Sequence, residues 1–170
     1  MVDQLTRVDV AWSGPLTCTG TEVVHRRSGF GGPRVTAMRL RKSMECTLPV
    51  RVSNHGGHSV RLDRIVLPYM GPGGGAAVRV ERLDGQRPLG RPSRQGRIDA
   101  VFPVGHTVPS AGRYDFDIHF TFRPGGCTAG LTTMTSGMPT VRVSTLGTTS
   151  SLRSATPVGF APTRDSDCSP

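Results

Sequence analysis

Residues 112–123 read Gly112-Arg113-Tyr114-Asp115-Phe116-Asp117-Ile118-His119-Phe120-Thr121-Phe122-Arg123. Tyr114, Phe116, Ile118, Phe120 and Phe122 alternate without interruption against Arg113, Asp115, Asp117, His119, Thr121 and Arg123. Side chains along a strand point to opposite faces with period two, so this stretch has one aromatic face and one charged or polar face. A helix would spread the five apolar groups around its whole circumference. The stretch is therefore expected to be a strand with one buried and one wet face, and other strands must cover the buried one.

Further short strands are expected on the same ground. Leu5 to Trp12 carries Val8 and Val10 on one face, and Thr21 to Arg26 offers a short extended piece around Val23 and Val24. Leu48, Val50 and Val52 alternate up to Asn54-His55-Gly56-Gly57, a turn signal, after which Val60, Leu62, Ile65 and Leu67 continue, so Cys46 to Leu67 reads as a hairpin or a tight sheet-to-sheet turn. The change from even to odd positions near Asp63 predicts a bulge. Ala76, Val78 and Val80, then Ile98, Ala100, Phe102 and Val104, then Val141, Val143 and Leu146 complete the set. Val35 to Leu40 fits neither period and reads as a helical turn or an edge strand. Gly71-Pro72-Gly73-Gly74-Gly75 reads as a flexible loop, Arg82 to Gln95 as a loop, Thr128 to Gly137 as weakly structured, and 147–170 as a largely irregular tail.

Seven to eight mostly antiparallel strands at short spacing, in a chain holding 22 glycines and 14 prolines, predict an all-β sandwich in a single domain over residues 1–170. No run of eighteen apolar residues is present, so no membrane-spanning helix is expected. Met1-Val2-Asp3-Gln4 is polar, so no signal peptide or anchor is expected within this sequence.

Two strands carry a resemblance. Ala111-Gly112-Arg113-Tyr114-Asp115-Phe116 resembles the penultimate strand of immunoglobulin-like domains, and Cys46-Thr47-Leu48-Pro49-Val50-Arg51-Val52-Ser53-Asn54 resembles the V-x-V-x-N-x-G strand of exported bacterial immunoglobulin-like modules. The likeness covers residues 46–146. It implies an immunoglobulin-like β-sandwich and an extracytoplasmic location at a bacterial envelope, and it implies no chemistry. It also implies that Tyr114 closes a corner, its hydroxyl bonded back to the turn. Neither the cysteines nor Trp12 match the core of antibody domains.

Cys18, Cys46, Cys127 and Cys168 are widely spaced and form no C-x-x-C pair, which argues against a zinc site. Pairing Cys18 with Cys46 and Cys127 with Cys168 makes each bridge close one local segment. The alternative is four reduced thiols in a cytosolic protein. Cys168 lies in a polar terminal stretch with no reason to be buried, which favours disulfides and an oxidising compartment.

The net charge is +9, and Lys42 is the one lysine among 21 basic residues. Arginine dominance matches a GC-rich coding bias, and the excess is dispersed rather than gathered in a tail. One local concentration stands out. Arg87, Arg91, Arg94 and Arg97 share a Pro/Gly-rich segment with no acid among them. Their forks could meet carboxylate, phosphate or sulfate oxygens of an anionic envelope polymer, lipid or protein partner. No aromatic is interleaved, so sequence-specific nucleic acid is not expected. Arg39, Arg41 and Lys42 form a lesser cluster.

Two further groupings point elsewhere. Asp115, Asp117 and His119 share one strand face at spacings that suit acid–base or metal chemistry, although arginines on neighbouring strands are the simpler partners. His55 and His58 flank a turn, and Met38, Met44 and Met70 could add soft ligands, as in a copper-carrying β-sandwich. Their spacing matches no metal motif. No nucleophile elbow, phosphate loop or H-E-x-x-H is present. The sequence thus favours a non-catalytic binding or structural module with no cofactor, and a copper carrier as the alternative.

Overall fold

The alternating stretch forms β9 (Arg113–Phe122), with Phe116, Ile118, Phe120 and Phe122 buried and Tyr114 half-buried. Each of the four buried side chains contributes about 2 kcal/mol relative to exposure, so this one strand anchors a large part of the core. The chain is described by a computed structural model over residues 4–90, 96–128, 130, 132–135 and 138–169. These residues are all-β and mostly antiparallel and form three sheets.

The first sheet places β9 between β5 (Glu45–Asn54) and β7 (Val78–Leu83). Beyond β5, its free edge is shared by β1 (Val8–Trp12) and β2 (Thr17–Thr19). β5 alternates exposed or half-buried with buried positions along all ten residues. A second sheet has the order β12 (Thr148–Arg153), β11 (Thr140–Thr145), β6 (Val60–Leu67), β8 (Ala100–Val108). The inner faces of these two sheets share one apolar cluster, in which Leu48, Val50, Phe116, Ile118 and Phe120 meet Leu62, Ile65, Phe102, Val141 and Val143. This is the packing of a β-sandwich.

The third sheet runs β10 (Thr133–Thr135), β13 (Val158–Ala161), β4 (Arg34–Arg39), β3 (Val23–Arg27), with β13 parallel to β4. All four residues of β13 are buried, and Met38, Val158 and Phe160 join the common core.

Several expectations need correction. Thirteen strands, not seven or eight, occur among the described residues. Residues 147–170 are not an irregular tail, because they hold β12, β13 and a 3₁₀ turn, Arg164–Ser166, capped by Thr163. Of the two readings of Val35 to Leu40, the strand holds, as Arg34–Arg39, and it lies inside its sheet rather than at the edge. Gln4–Arg7 is a 3₁₀ turn, so the first strand starts at Val8. The bulge near Asp63 is present, as a register shift between Leu62 and Arg64.

Of the two readings of Cys46 to Leu67, the sheet-to-sheet turn holds and not the hairpin, with the turn at Asn54-His55-Gly56-Gly57. It carries the chain from the first sheet to the second, and residues 109–112 carry it back from β8 to β9. Asn54 ties these crossings together. Its buried amide donates to the carbonyls of His58 (2.9 Å), Val108 (3.2 Å) and Pro109 (3.0 Å), while its Oδ1 accepts from the Gly56 N–H (3.0 Å). The corner role expected of Tyr114 thus falls to Asn54. The Tyr114 ring instead lies against His106, centroids 4.6 Å apart.

Cys18 is bonded to Cys46 and Cys127 to Cys168. The first bridge links directly opposed residues of β2 and β5. The second holds the C-terminal segment against the exit of β9, where the Thr128 N–H also donates to the Ser166 carbonyl (2.8 Å).

Candidate functional site

β7 ends at Leu83 in a two-residue turn, Asp84-Gly85, both with positive φ (47° and 82°). Leu83 and Gln86 exchange both backbone hydrogen bonds, at 2.9 Å each, the geometry of a primed hairpin turn. The Asp84 carboxylate accepts from the Asp117 N–H (2.8 Å), which fixes the turn against β9. The chain then passes through Arg87 and Pro88, and the Leu89 N–H donates to the Val101 carbonyl of β8 (2.9 Å). The expected loop from Arg82 to Gln95 is therefore ordered through Gly90. Arg91 and Arg94 lie outside the described residues.

Residues 68–74 come up against the far end of this segment. The Gly71 N–H donates to the Ile98 carbonyl (2.7 Å), the Gly73 N–H to the Arg97 carbonyl (2.8 Å), and the Tyr69 N–H to the Asp99 carboxylate (3.0 Å). The backbones are so close that a Cβ on Gly71 would sit 2.3 Å from the Asp99 carbonyl oxygen. Gly71, Gly73 and Gly74 are therefore required for close contact rather than for flexibility.

Beneath these loops lies Arg123, only 7% exposed. Its Nε donates to the Ala76 carbonyl (2.9 Å) and its Nη1 to the Pro72 carbonyl (3.4 Å), while Nη2 is buried with no hydrogen-bond partner among the described residues. No carboxylate pairs with it among the described residues. Burial, and then the neighbouring Arg79, push its pKa down from the ordinary arginine value. A buried cation without a counter-charge leaves positive potential at this end of the molecule.

The surface above it combines charge and apolar area. Arg82, Arg87 and Arg97 are exposed and make no ion pair among the described residues. Arg79 pairs with Glu81 (3.2 Å). A depression of about 230 Å³ lies between Arg79 and Arg87, walled by Met70, Pro72 and Gly90. Among the described residues, five large apolar side chains are exposed, and three of them, Tyr69 (69%), Ile98 (57%) and Leu89 (40%), fall in these interlocked loops. Guanidinium groups next to apolar side chains suit a partner that joins an anionic group to an apolar one.

The other expected groupings are dispersed. Asp115 is taken by Arg51 (2.6 Å), and that pairing holds the Asp115 carboxyl below its ordinary pKa. His119 Nδ1 lies 3.1 Å from the Thr47 hydroxyl. His119 and Thr47 line an open groove of about 570 Å³ on the outer face of the first sheet, together with Thr17, Arg79, Glu81 and Thr121. Asp117 is engaged through its backbone with Asp84. His55 Nε2 contacts Asp9 (2.6 Å), and Met38, Met44 and Met70 are buried in the core. No group of three His, Cys, Asp or Glu residues is placed to hold a metal among the described residues.

Of the four arginines singled out from the sequence, the described residues include Arg87 and Arg97, both exposed. Tyr69, Leu89 and Arg123 beside them were not singled out, and Ile98, expected to open an alternating strand, precedes β8 and is exposed. The Asp84-Gly85 pair was the available signal that β7 ends in a tight turn and that the segment after it starts from a fixed point. Compared with protein-family models and with curated proteins, the sequence matches none.

Proposed function

We propose that the chain is a non-catalytic, immunoglobulin-like binding module working in the extracytoplasmic space of a bacterium, where it takes an anionic partner of the cell envelope. The observation that carries this reading is the juxtaposition of Arg87 and Arg97, without an ion pair among the described residues, with exposed Tyr69, Leu89 and Ile98 on loops locked to one another. Recognition on sandwich folds lives on such end loops, and a locked loop loses little entropy when it binds. The two disulfides support the choice of an oxidising compartment. The partner's chemistry follows from the surface: phosphate, sulfate or carboxylate for the arginines, joined to a lipid or other apolar portion for the ring and aliphatic groups.

The test is binding to heparin, an anionic wall polymer and anionic liposomes. Wild type is compared with Arg87→Ala/Arg91→Ala/Arg94→Ala/Arg97→Ala over a salt series. Exposed ionic contacts weaken as the Debye length shortens. Binding by wild type should fall steeply with salt, and the variant should bind about tenfold more weakly or worse. Equal binding by the two proteins, or no salt-dependent binding, contradicts the reading.

A further inference from the structure

The most exposed large apolar side chain among the described residues is not in the loop end described above. Phe30 is 94% exposed at the tip of the hairpin formed by β3 and β4. The tip is built to hold it there. The Ser28 N–H donates to the Pro33 carbonyl (3.0 Å), the Gly32 N–H to the Ser28 carbonyl (3.0 Å), and the Gly29 N–H to the Thr132 carbonyl (2.9 Å). Gly29 and Gly31, with φ of 52° and 80°, turn the backbone on either side of the ring.

One exposed phenylalanine is ordinary. Its surroundings are not. From Val23 to Met44 the sequence holds Arg26, Arg27, Arg34, Arg39, Arg41 and Lys42 and no acidic residue. Arg26, Arg27 and Arg34 are exposed and make no ion pair among the described residues, whereas Arg39 contacts Glu22 at 3.6 Å. Arg27 lies directly opposite Arg34 across the hairpin. Like charges at that spacing repel, and no carboxylate among the described residues pairs with them. Arg26, one residue earlier, faces the other side of the sheet.

We infer that the Phe30 hairpin is a membrane-docking tip, seating its ring among the acyl chains of an anionic bilayer while Arg26, Arg27 and Arg34 meet the phosphate headgroups. Cations on both faces of the hairpin, set back from an apolar point, fit a headgroup layer that surrounds the tip. A protein pocket would contact one face. A nucleic-acid strand would call for arginines tracking along a groove. Each arginine near an anionic surface adds to attraction, and an aromatic ring gains by entering the interface. This contact lies on a different sheet from the Arg87–Arg97 loops and does not depend on their having a partner.

The experiment is co-sedimentation with phosphatidylglycerol-containing vesicles and with pure phosphatidylcholine vesicles. The proteins are wild type, Phe30→Ser, Arg27→Ala/Arg34→Ala and the loop-end variant Arg87→Ala/Arg97→Ala. Wild type should partition onto the anionic vesicles only. Phe30→Ser should bind about tenfold more weakly, and Arg27→Ala/Arg34→Ala about thirtyfold more weakly. Adding Phe30→Ser to the loop-end variant should weaken its vesicle binding by the same factor as in wild type, since the two contacts are independent. Fluorescence of Phe30→Trp should be quenched by lipids brominated in the acyl chain. Equal binding by wild type and both hairpin variants overturns the inference. So does loss of vesicle binding confined to the loop-end variant, absence of bromine quenching, or quenching by a single-stranded oligonucleotide alone.

Discussion

The backbone N–H of Gly71 donates to the carbonyl of Ile98 across 2.7 Å, joining segments 27 residues apart in the chain. That bond and its neighbour from Gly73 to Arg97 decide where the side chains of Ile98 and Arg97 stand relative to Tyr69. The binding surface proposed for this protein exists because these backbones touch.

Gly71→Ala should therefore separate the loops while sparing the sandwich. A methyl group cannot occupy a point 2.3 Å from the Asp99 carbonyl oxygen, so the loop must move, at a cost of about 1–3 kcal/mol. Urea denaturation should show that loss, far-UV circular dichroism should stay unchanged, and binding to heparin should weaken. A variant with wild-type stability and wild-type binding would show that the contact between loops is not needed.

Asn54 should be among the most sensitive polar positions. Asn54→Ala leaves three carbonyls and the Gly56 N–H without their partner at the two sheet crossings. The expected loss is about 3 kcal/mol, read as a lower urea midpoint at unchanged slope. Tyr114→Phe should cost far less, since its ring contact with His106 survives the change.

Cys127–Cys168 closes a segment of sequence separation 41 and holds the C-terminal residues to the exit of β9. Cys127→Ser/Cys168→Ser should destabilise the protein by about 3–4 kcal/mol in the chain-entropy account. A non-reduced digest should contain the linked peptides 18–46 and 127–168. Free thiols in protein made under oxidising conditions would remove the main support for an extracytoplasmic compartment.

The Arg51–Asp115 pair fixes the sign of one pH effect. Asp115 has a lowered folded-state pKa, caused first by its hydrogen bond from Arg51. Its contribution is thus present above the unfolded carboxyl value of about 3.9 and is lost as pH falls through the lowered folded value. Both side chains are well exposed, so solvent screening keeps the effect small. Asp115→Asn should lower the urea midpoint slightly at neutral pH, and the difference should vanish in strong acid. A difference that grows with acidification would contradict the assignment.

What the sequence made legible was the part of the fold where one face is dry and the other wet. β5 and β9 alternate through their whole length, so their strands and inner faces could be read, and the switch from even to odd apolar positions in β6 marked the bulge at Asp63. β13 could not, because Val158, Gly159, Phe160 and Ala161 are all buried and no alternation survives. β4 was ambiguous for a related reason: Ala37 and Met38 are adjacent and both buried. β12 reads Thr-Thr-Ser-Ser-Leu-Arg, a polar edge strand whose identity comes from pairing with β11. The arginines at 87 and 97 were visible as a local charge concentration. Tyr69, Leu89 and Ile98 were not, because only tertiary contacts gather them.

The most direct measurement is a titration of isotopically labelled protein with octyl phosphate below its micelle concentration, beside a titration with inorganic phosphate, followed by amide chemical shifts. Octyl phosphate joins an anion to an alkyl chain, the chemistry that Arg87 and Arg97 with Tyr69, Leu89 and Ile98 are proposed to recognise. Shifts should concentrate at residues 69–74, 87–90 and 96–99, and octyl phosphate should bind about tenfold more tightly than inorganic phosphate. Shifts scattered over the surface, shifts centred elsewhere, or equal affinity for the two ligands would contradict the account.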